Sequence, residues 1–509
     1  MIVPLDHLPL LGKPDAPAFA DRSGQVSFAA LEGMTGRLAA WIAAQNFPVG
    51  SRIAAWLPKA SAALVLPLAV ARAGHVYVPI NPLLKRIQVA HILADSGAAM
   101  LISQDTRLGM LEAQDTRDIL VFSDLDIDRI MTVEGGPACG ASDADPDALA
   151  EILYTSGSTG LPKGVMLSHA NLMIGARSVA TYLELAPDDR TLALLPLSFD
   201  YGQNQLFSTW WAGGCVVPLD YLLPGHVAKA AAEHRITTLA GVPPLWVQLV
   251  ETDWPEEACA HLRRLTNSGG ALTLSLIAKM RVTFPGVDIV AMYGLTEAFR
   301  STYLPPALLD AHPARIGRAI PDAEVLVVRP DGSLTDDEEP GELVHCGPLV
   351  AQGYWRDAQR TAERFRPAPE ASIYGGTAVW SGDTAVRDAD GLLRFVARED
   401  AMIKSAGNRI SPTEIEEAAL AVSGVAEACA LGVPDERLGQ AILLFVRAET
   451  ALCDADAQAV PDRLASELRR ALPNFMQPRE IRILRELPRT PNGKHDRVAL
   501  AALALEPAE

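Results

Sequence analysis

The densest chemical signal in this sequence is the segment Tyr154-Thr-Ser-Gly-Ser-Thr-Gly-Leu-Pro-Lys-Gly-Val-Met-Leu-Ser-His169. Its small residues allow the backbone to curl so that N–H groups converge on an anion. Its hydroxyl side chains add donors, and Lys163 adds a mobile cation suited to phosphate oxygens. Because Leu161 and Pro162 separate Gly160 from that lysine, the segment is not a Walker loop. A polar surface turn would explain one glycine pair, whereas the whole string predicts a phosphate-binding loop.

Helix-like and strand-like patterns alternate on both sides of this loop, which predicts parallel sheets covered by helices. Beyond residue 320 a hairpin pattern replaces the alternation, and beyond residue 400 short helices and strands follow one another. We therefore expect an α/β fold. Its N-terminal domain, 1–399, would contain two helix-covered sheets and a small, β-barrel-like subdomain at about 320–399. An α+β domain, 400–509, would follow it.

Composition excludes several classes of protein. The 509 residues carry a formal charge of −18 and show no basic stripe, so a nucleic-acid partner is not expected. The six cysteines form no C-x-x-C pair, which argues against zinc ribbons and dithiol redox motifs. The N-terminus lacks the pattern of a secretory signal, and the most apolar run, 60–71, is far below the ~20 residues that span a bilayer. We expect a cytoplasmic enzyme without a membrane span.

Four further strings carry chemistry; they are Asn267-Ser-Gly-Gly-Ala271, Met292-Tyr-Gly-Leu-Thr-Glu-Ala298, Trp380-Ser-Gly-Asp383 and Leu487-Pro-Arg-Thr-Pro-Asn-Gly-Lys494. Glycines let the backbone approach a flat ring closely, although a Gly-Gly pair alone is usually just a turn. A single carboxylate such as Asp383 can accept from both ribose hydroxyls, or it can cap a turn. Proline and Pro-Asn-Gly break regular structure around Lys494, so this lysine is expected on a projecting loop rather than on a helix.

In this order, the strings closely resemble the motifs of the adenylate-forming superfamily, which includes acyl-CoA synthetases, luciferases and the adenylation domains of peptide synthetases. The resemblance covers nearly the whole chain. One departure is Ala397, where the family usually has glycine before the arginine that matches Arg398. The combination also resembles a narrower group, the stand-alone AMP-forming acyl-CoA ligases associated with exosortase gene clusters, for which a carrier protein is a plausible acceptor.

The resemblance implies ATP and Mg²⁺ as cofactors and a role for each matching residue. The catalytic residues would be Lys494, Glu297, Thr296 and Lys163, and the metal would be held by Glu297 and Thr155. The nucleotide would be bound by Thr155, Ser156, Gly157, Ser158, Thr159, Gly160, Gly269, Gly270, Ala271, Tyr293, Gly294, Asp383 and Arg398. The acid would be bound by Phe199, Asp200, Asn204, Ser268, Met292 and Arg300.

The resemblance also implies a reaction in two steps. The substrate carboxylate attacks the α-phosphorus of ATP and pyrophosphate leaves, while Lys494 brings the two anions together. The C-terminal domain then swings about a hinge at Asp400, withdraws Lys494 and admits the thiol of CoA or of phosphopantetheine on a carrier protein. The competing hypotheses are an enzyme that stops at the adenylate or oxidises it, and a protein that only senses nucleotide. The intact polar residues of the motifs argue against a protein that only senses nucleotide.

Two residues bear on the identity of the acid. Acyl-CoA synthetases often carry Phe-His where this chain has Phe199-Asp200, and in amino-acid adenylation domains the matching aspartate binds the substrate ammonium. This resemblance predicts an amino-bearing acid, but Asp200 can instead cap a helix that starts at Tyr201. Arg300 can bind a second substrate carboxylate or pair with a protein acid. A conventional acyl-CoA synthetase for a non-amino acid stays the alternative.

Overall fold

The computed structural model describes residues 2–21, 24–133, 135–155, 162–398, 403–405, 408–435, 438–449 and 460–504. Two predicted features fall outside these ranges. They are the centre of the phosphate loop, which contains Ser156, Gly157, Ser158, Thr159 and Gly160, and the hinge at Asp400. The predicted domain boundary between residues 399 and 400 lies outside them as well, so it stays a prediction.

The strands are β1 Pro17–Asp21, β2 Gly24–Ser27, β3 Arg52–Trp56, β4 Val76–Pro79, β5 Ala98–Ser103, β6 Leu120–Ser123, β7 Leu149–Thr155, β8 Lys163–Ser168, β9 Arg190–Ala193, β10 Cys215–Pro218, β11 Thr238–Gly241, β12 Arg264–Asn267, β13 Asp288–Gly294, β14 Arg300–Leu304, β15 Arg318–Ala319, β16 Glu324–Val328, β17 Gly341–Cys346, β18 Gly353–Tyr354, β19 Phe365–Pro367, β20 Thr377–Arg387, β21 Leu393–Arg398, β22 Ile403–Ser405, β23 Asn408–Ile410, β24 Val425–Asp435, β25 Gly439–Ala448 and β26 Glu480–Ile483. The helices are α1 Phe28–Ala43, α2 Ser61–Arg72, α3 Arg86–Ser96, α4 Asp105–Leu108, α5 Asp124–Thr132, α6 His169–Tyr182, α7 Asp200–Trp211, α8 Pro224–Glu233, α9 Pro243–Val250, α10 Glu256–Cys259, α11 Leu274–Thr283, α12 Ala358–Arg364, α13 Pro412–Leu420, α14 Val460–Ala471 and α15 Arg497–Ala504.

Two large sheets form the N-terminal part of the molecule. One runs in the order β15-β14-β13-β12-β11-β9-β10-β1-β2 and the other in the order β18-β8-β7-β4-β3-β5-β6. The pairs at the centre of each sheet are parallel, and antiparallel pairs lie toward the edges. The prediction of two helix-covered sheets is confirmed.

One apolar core joins both sheets through the helices between them. It contains Phe19 and Val216 from the first sheet and Ile53 and Leu153 from the second, all of them fully or almost fully buried. Helix α2 is buried on every side because its run from Ala62 to Ala71 is apolar throughout except for one proline. This shared core fixes the two sheets relative to each other.

Two smaller units follow, built mainly of antiparallel pairs, with β25 and β26 paired in parallel. The β-rich subdomain is the sheet β16-β17-β20-β19, with β21 paired to β20. The C-terminal α+β unit is the sheet β23-β22-β25-β24, with β26 paired to β25, and helices α13 and α14 pack on its own core. The predicted hairpin over 324–345 is confirmed as the pair β16–β17. Within the part of the chain that the structure describes, no helix is long and apolar enough to cross a membrane.

A buried carboxyl group links strand β7 of the second sheet to helix α7. Glu151 on β7 is completely buried, and Gln203 on α7 donates a hydrogen bond of 2.8 Å to its Oε1 atom. Burial raises the pKa of Glu151 to about 8, against a partial opposing effect of the hydrogen bond from Gln203. At neutral pH the folded protein therefore keeps a proton that the unfolded chain releases.

This difference predicts a stability that depends on pH. Between about pH 4.5 and pH 8 only the unfolded chain ionises Glu151, so this group's contribution to stability falls by about 1.4 kcal/mol per pH unit. We expect Glu151→Gln to leave the urea midpoint unchanged near pH 4.5 and to raise it progressively up to pH 8. The exposed Glu257→Gln serves as control. An equal shift at every pH would contradict the ionisation of Glu151 as the cause.

Candidate active site

The two ends of the predicted phosphate loop lie side by side. Thr155 is the last residue of β7 and Lys163 the first of β8, and the two residues are partners in an antiparallel pair. The hydroxyl of Thr155 is buried and has no hydrogen-bond partner among the described residues. Such an orphaned donor and acceptor, at the mouth of a loop rich in small residues, is free to bind a ligand oxygen.

Lys163 forms a compact polar trio with Glu297 and Tyr354. Its Nζ atom lies 2.9 Å from Glu297 Oε1, 2.8 Å from the Tyr354 hydroxyl and 4.2 Å from the centre of the Tyr354 ring. The Tyr354 hydroxyl donates to Glu297 Oε1 at 2.6 Å. Burial opposes the ionisation of Glu297, but Lys163 and Tyr354 together hold its pKa below the ordinary value. The site therefore contains a carboxylate that stays ionised.

The loop that carries Glu297 folds back on itself at Gly294. A Cβ atom on Gly294 would lie 2.5 Å from the carbonyl oxygen of Phe299 and 2.6 Å from the Cα of Arg300, so only glycine fits. Leu295 N closes the loop by donating to Phe299 O at 3.0 Å. Phe299 itself has φ +59° and ψ −150°, which is strained for a residue with a side chain. This fold-back turns Glu297 and Arg300 toward the cleft.

A second cluster lies between β13 and the β-rich subdomain. The hydroxyl of Tyr293 donates to Asp383 Oδ2, and the ring of His345 stacks on the Tyr293 ring with centroids 6.0 Å apart. His345 is buried, and both of its ring nitrogens lack a hydrogen-bond partner among the described residues. Burial lowers the pKa of His345 to about 3, with a further contribution from the Arg364 cation, so the ring is neutral. A flat ring and a carboxylate thus occur together, as nucleoside binding requires.

Lys494 reaches the cleft from the C-terminal unit. It lies in a turn between β26 and α15, and its Nζ atom is 5.5 Å from the centre of the Phe199 ring. A Cβ atom on Gly269 would lie 2.8 Å from Lys494 Cε, so the glycine leaves room for the lysine side chain. Gly269 has φ +82°, and the amide of Asn267 donates to Gly270 O at 2.9 Å to hold this turn. The predicted projecting lysine therefore lies against Phe199 and the turn that follows β12.

Asp200 and Arg300 lie beside each other below Lys494. Arg300 is 2% exposed, and its guanidinium carbon is 4.8 Å from the centre of the Tyr201 ring and 4.7 Å from that of Phe299. Its Nη2 atom donates weakly to the Asp200 carbonyl oxygen at 3.4 Å. The Nε and Nη1 atoms have no hydrogen-bond partner among the described residues. Two nitrogens of this buried guanidinium, carrying three N–H donors, thus lack a partner among the described residues.

The carboxylate of Asp200 lies in the first turn of α7. Burial raises its pKa, while the cations of Arg300 and Lys494 act in the opposite direction. Asp200 has no ion pair within 4 Å in the described ranges. Helix α7 begins at Asp200 itself, with Phe199 before it and no side-chain capping bond, so Asp200 is a residue of the first turn and not the N-cap that the alternative requires.

The comparisons with known proteins agree with this geometry. The family model for the AMP-binding enzyme matches residues 10–355, and the one for the AMP-binding enzyme C-terminal domain matches residues 414–494. The chain belongs to the AMP-binding enzyme family. It is an adenylate-forming enzyme, and more narrowly an AMP-forming acid–thiol ligase.

Similar proteins come from several bacteria. A feruloyl-CoA synthase from Amycolatopsis sp is 32% identical over 497 residues, with 94% of each chain covered. A sulfoacetate–CoA ligase from Cupriavidus necator is 32% identical over 509 residues, with 96% of this chain and 94% of the relative covered. The crystal structure of ATP-bound MatB from Rhodopseudomonas palustris superposes with a TM-score of 0.86 at 26% identity, over 98% of this chain and 99% of MatB.

The ligase offers oxygen atoms of the kind that Mg²⁺ prefers. The orphaned hydroxyl of Thr155 and the ionised carboxylate of Glu297 are hard donors, and their role as metal ligands stays a prediction. Among the described residues, no group of three histidine, cysteine or acidic side chains is close enough to hold a metal. This pattern fits Mg²⁺, which is usually held by one or two protein oxygens together with substrate phosphates.

The remaining predicted residues of the ligase lie on several elements of the N-terminal part. Thr296 begins the single helical turn Thr296–Ala298, Ser268 is buried at the end of β12, and Met292 lies within β13. Ala271 is exposed, Asn204 lies on α7, and Arg398 is the last residue of β21. The roles of all these residues stay predictions.

The sequence analysis missed three residues of the site: Tyr354, His345 and Arg364. Tyr354 arrives because the two-residue strand β18 pairs with β8, so that Tyr354 is the partner of Val165. His345 and Arg364 come from the β-rich subdomain and its neighbouring helix, far from the loops in sequence. No local pattern marks any of them, since their place in the site depends on pairing between distant segments.

Proposed function

We propose that this ligase activates a small carboxylic acid that carries an amine and passes the acyl group to the thiol of CoA or of a phosphopantetheine-bearing carrier protein. The observation that carries the proposal is the position of Asp200, an acid in the cleft between Lys494 and Arg300 with no ion pair in the described ranges. Burial opposes the ionisation of the Asp200 carboxyl more than the Arg300 and Lys494 cations favour it, and a bound ammonium would offset that cost. The matching aspartate of amino-acid adenylation domains supports the same role.

The cavity beyond Asp200 supports a short substrate. Its volume is about 20 Å³, which is room for little more than one water molecule in the present arrangement of side chains. Tyr201, Asn204 and Gln205 line it from α7, and Arg300 lines it from β14. The Nδ2 atom of Asn204 and both polar side-chain atoms of Gln205 lack hydrogen-bond partners among the described residues. A short polar group would satisfy these atoms, whereas a long apolar chain would leave them unpaired.

A second candidate is an acid without an amine whose tail carries another anionic group. The two unused nitrogens of the buried Arg300 favour it, since a guanidinium binds a carboxylate or sulfonate in a forked geometry. The relative named sulfoacetate–CoA ligase acts on an acid of that kind. The names of both curated relatives also support CoA as the acceptor. In this case Asp200 would mainly stabilise α7 as an acidic residue of its first turn.

The geometry suggests how the ligase carries out its first step. The acid would lie with its carboxylate near Lys494, which reduces the repulsion between it and the α-phosphate. One carboxylate oxygen forms a bond to phosphorus, and pyrophosphate leaves with the electron pair of the bond that breaks. Lys163 would contact the departing phosphates, while Tyr293 and Asp383 would hold adenine and ribose. A bound Mg²⁺ would neutralise phosphate charge. In the second step the thiol sulfur bonds to the acyl carbon and AMP leaves.

A panel of acids tests the two candidates. We would measure pyrophosphate release with amino acids, amino diacids, diacids, sulfonated acids and simple aliphatic acids, and then add CoA or a carrier protein. Asp200→Asn should lower kcat/KM for amine-bearing acids by about 10- to 150-fold, since hydrogen bonds to charged groups contribute about 1.5–3 kcal/mol. It should leave other acids unchanged.

Arg300→Met serves as the companion variant, and the exposed Asp188→Asn as the charge-matched control. If Asp200→Asn leaves every acid unchanged while Arg300→Met abolishes a preference for dianionic acids, the second candidate replaces the first. A best substrate with neither an amine nor a second anion would reject both.

A further inference from the structure

One buried carboxylate in the C-terminal unit gathers three positively charged or ionisable side chains. The Glu427 side chain is 2% exposed, and it accepts hydrogen bonds from Arg447 Nε, from Arg489 Nη2 at 3.0 Å and from His495 Nε2 at 3.0 Å. Burial opposes ionisation of Glu427, but His495, Arg489 and Arg447 lower its pKa below the ordinary value. Three side chains therefore fix the position of the Glu427 carboxylate.

Two of these partners lie on either side of Lys494. Arg489 and His495 form an isolated antiparallel bridge, so both arms of the turn between them meet the same carboxylate. Within the turn, Thr490 N donates to Lys494 O at 2.7 Å, and Lys494 N donates to Thr490 Oγ1 at 3.2 Å. The position of Lys494 in the cleft thus depends on a turn whose two ends are fixed by Glu427.

The third partner, Arg447, links Glu427 to the N-terminal domain. Arg447 faces Glu427 across the β24–β25 pair, and its Nη2 atom also lies 3.4 Å from Glu251, the residue after α9. The C-terminal unit also contacts the N-terminal part through the ion pair of Lys279 with Glu449 and through the hydrogen bond of 3.1 Å from Asn81 to Asn492, which lies in the turn that carries Lys494. A continuous chain of polar contacts therefore runs from α9 through Arg447 and Glu427 to the lysine turn.

We propose that Glu427 is a positioning residue for the adenylate-forming step. Through Arg489 and His495 it orients the turn that presents Lys494, and through Arg447 it holds the C-terminal unit against α9 in the arrangement that places the lysine in the cleft. This inference rests on the proposed role of Lys494. The contacts with Glu251 and Asn81 exist only while the two units keep this arrangement, so Glu427 acts on the first half-reaction and not on the second.

Separate assays of the two half-reactions test the inference. With the best acid of the panel, Glu427→Gln should lower kcat for pyrophosphate release by about 10- to 100-fold, since a displacement of about 1 Å can cost that much. The KM for ATP should stay within twofold. Thioester formation from chemically prepared acyl-adenylate and thiol should also stay within twofold. If Glu427 only stabilised the fold, Glu427→Gln would slow both half-reactions alike.

Two further variants are compared with Glu427→Gln. Glu251→Gln leaves Glu427 and its own unit intact, and it should lower pyrophosphate release in the same direction but less. Arg479→Gln removes a partly exposed ion pair with Asp435 in the same unit and should change neither half-reaction. Equal losses in both half-reactions, or no loss in either, would overturn the inference. If Lys494→Ala itself left pyrophosphate release intact, the proposed role of Lys494 would fail instead.

Discussion

Replacement of Lys494 by alanine is expected to lower the rate of pyrophosphate release by about a hundredfold or more. Removal of one preorganised donor at a reacting centre typically costs about 10²- to 10³-fold in rate. Lys494 is the cation of the C-terminal unit that reaches this part of the cleft in the described structure, with its side chain between the Phe199 ring and Gly269. Without it, two anions would have to approach each other with less compensation of their charge.

The measurement is a pyrophosphate-release assay beside a thioester assay that starts from prepared acyl-adenylate. We expect the second assay to stay within about twofold of the unchanged protein, because Lys494 is proposed to act only before the adenylate forms. Lys229→Ala removes an exposed lysine on α8 and serves as control. Equal losses in both half-reactions would indicate general damage to the fold and would contradict the proposed role.

Replacement of Glu297 by glutamine is expected to lower pyrophosphate release by about 10- to 150-fold and to raise the Mg²⁺ concentration at half-maximal rate. Glu297 Oε1 accepts from both Lys163 and Tyr354, so its charge holds Lys163 in place as well as attracting a cation. Hydrogen bonds to charged groups contribute about 1.5–3 kcal/mol, which corresponds to that loss of rate. A glutamine keeps the shape of Glu297 but not its charge.

Tyr354→Phe separates the two contributions of this cluster. It removes the hydroxyl that bonds Glu297 but keeps the ring that faces Lys163. We expect a loss of about tenfold or less and no change in the Mg²⁺ requirement. The measurement is a titration of pyrophosphate release with MgCl₂ at saturating ATP. If Glu297→Gln and Tyr354→Phe shifted the Mg²⁺ midpoint equally, the proposal that Glu297 holds the metal would be wrong.

Local patterns predicted much of the fold. The predicted alternation of helices and strands on both sides of the phosphate loop is present as the succession β3, α2, β4, α3 and β5 before it and β9, α7, β10, α8 and β11 after it. This prediction is confirmed because the periods of apolar residues in strands and buried helices follow directly from backbone geometry. The phosphate-binding role of the segment 154–169 is likewise predicted from residues that are close together in the sequence.

The sequence by itself determined the alternation of helices and strands, the order of the motifs and the family to which they belong, since each of these is written in residues close together along the chain. Only the tertiary structure decided that Tyr354 completes the Lys163–Glu297 pair, that His345 stacks on Tyr293, and that Glu427 holds the turn of Lys494. Those contacts join segments tens of residues apart or more. They form only when sheets pair and units pack, and no local period of the sequence encodes that packing.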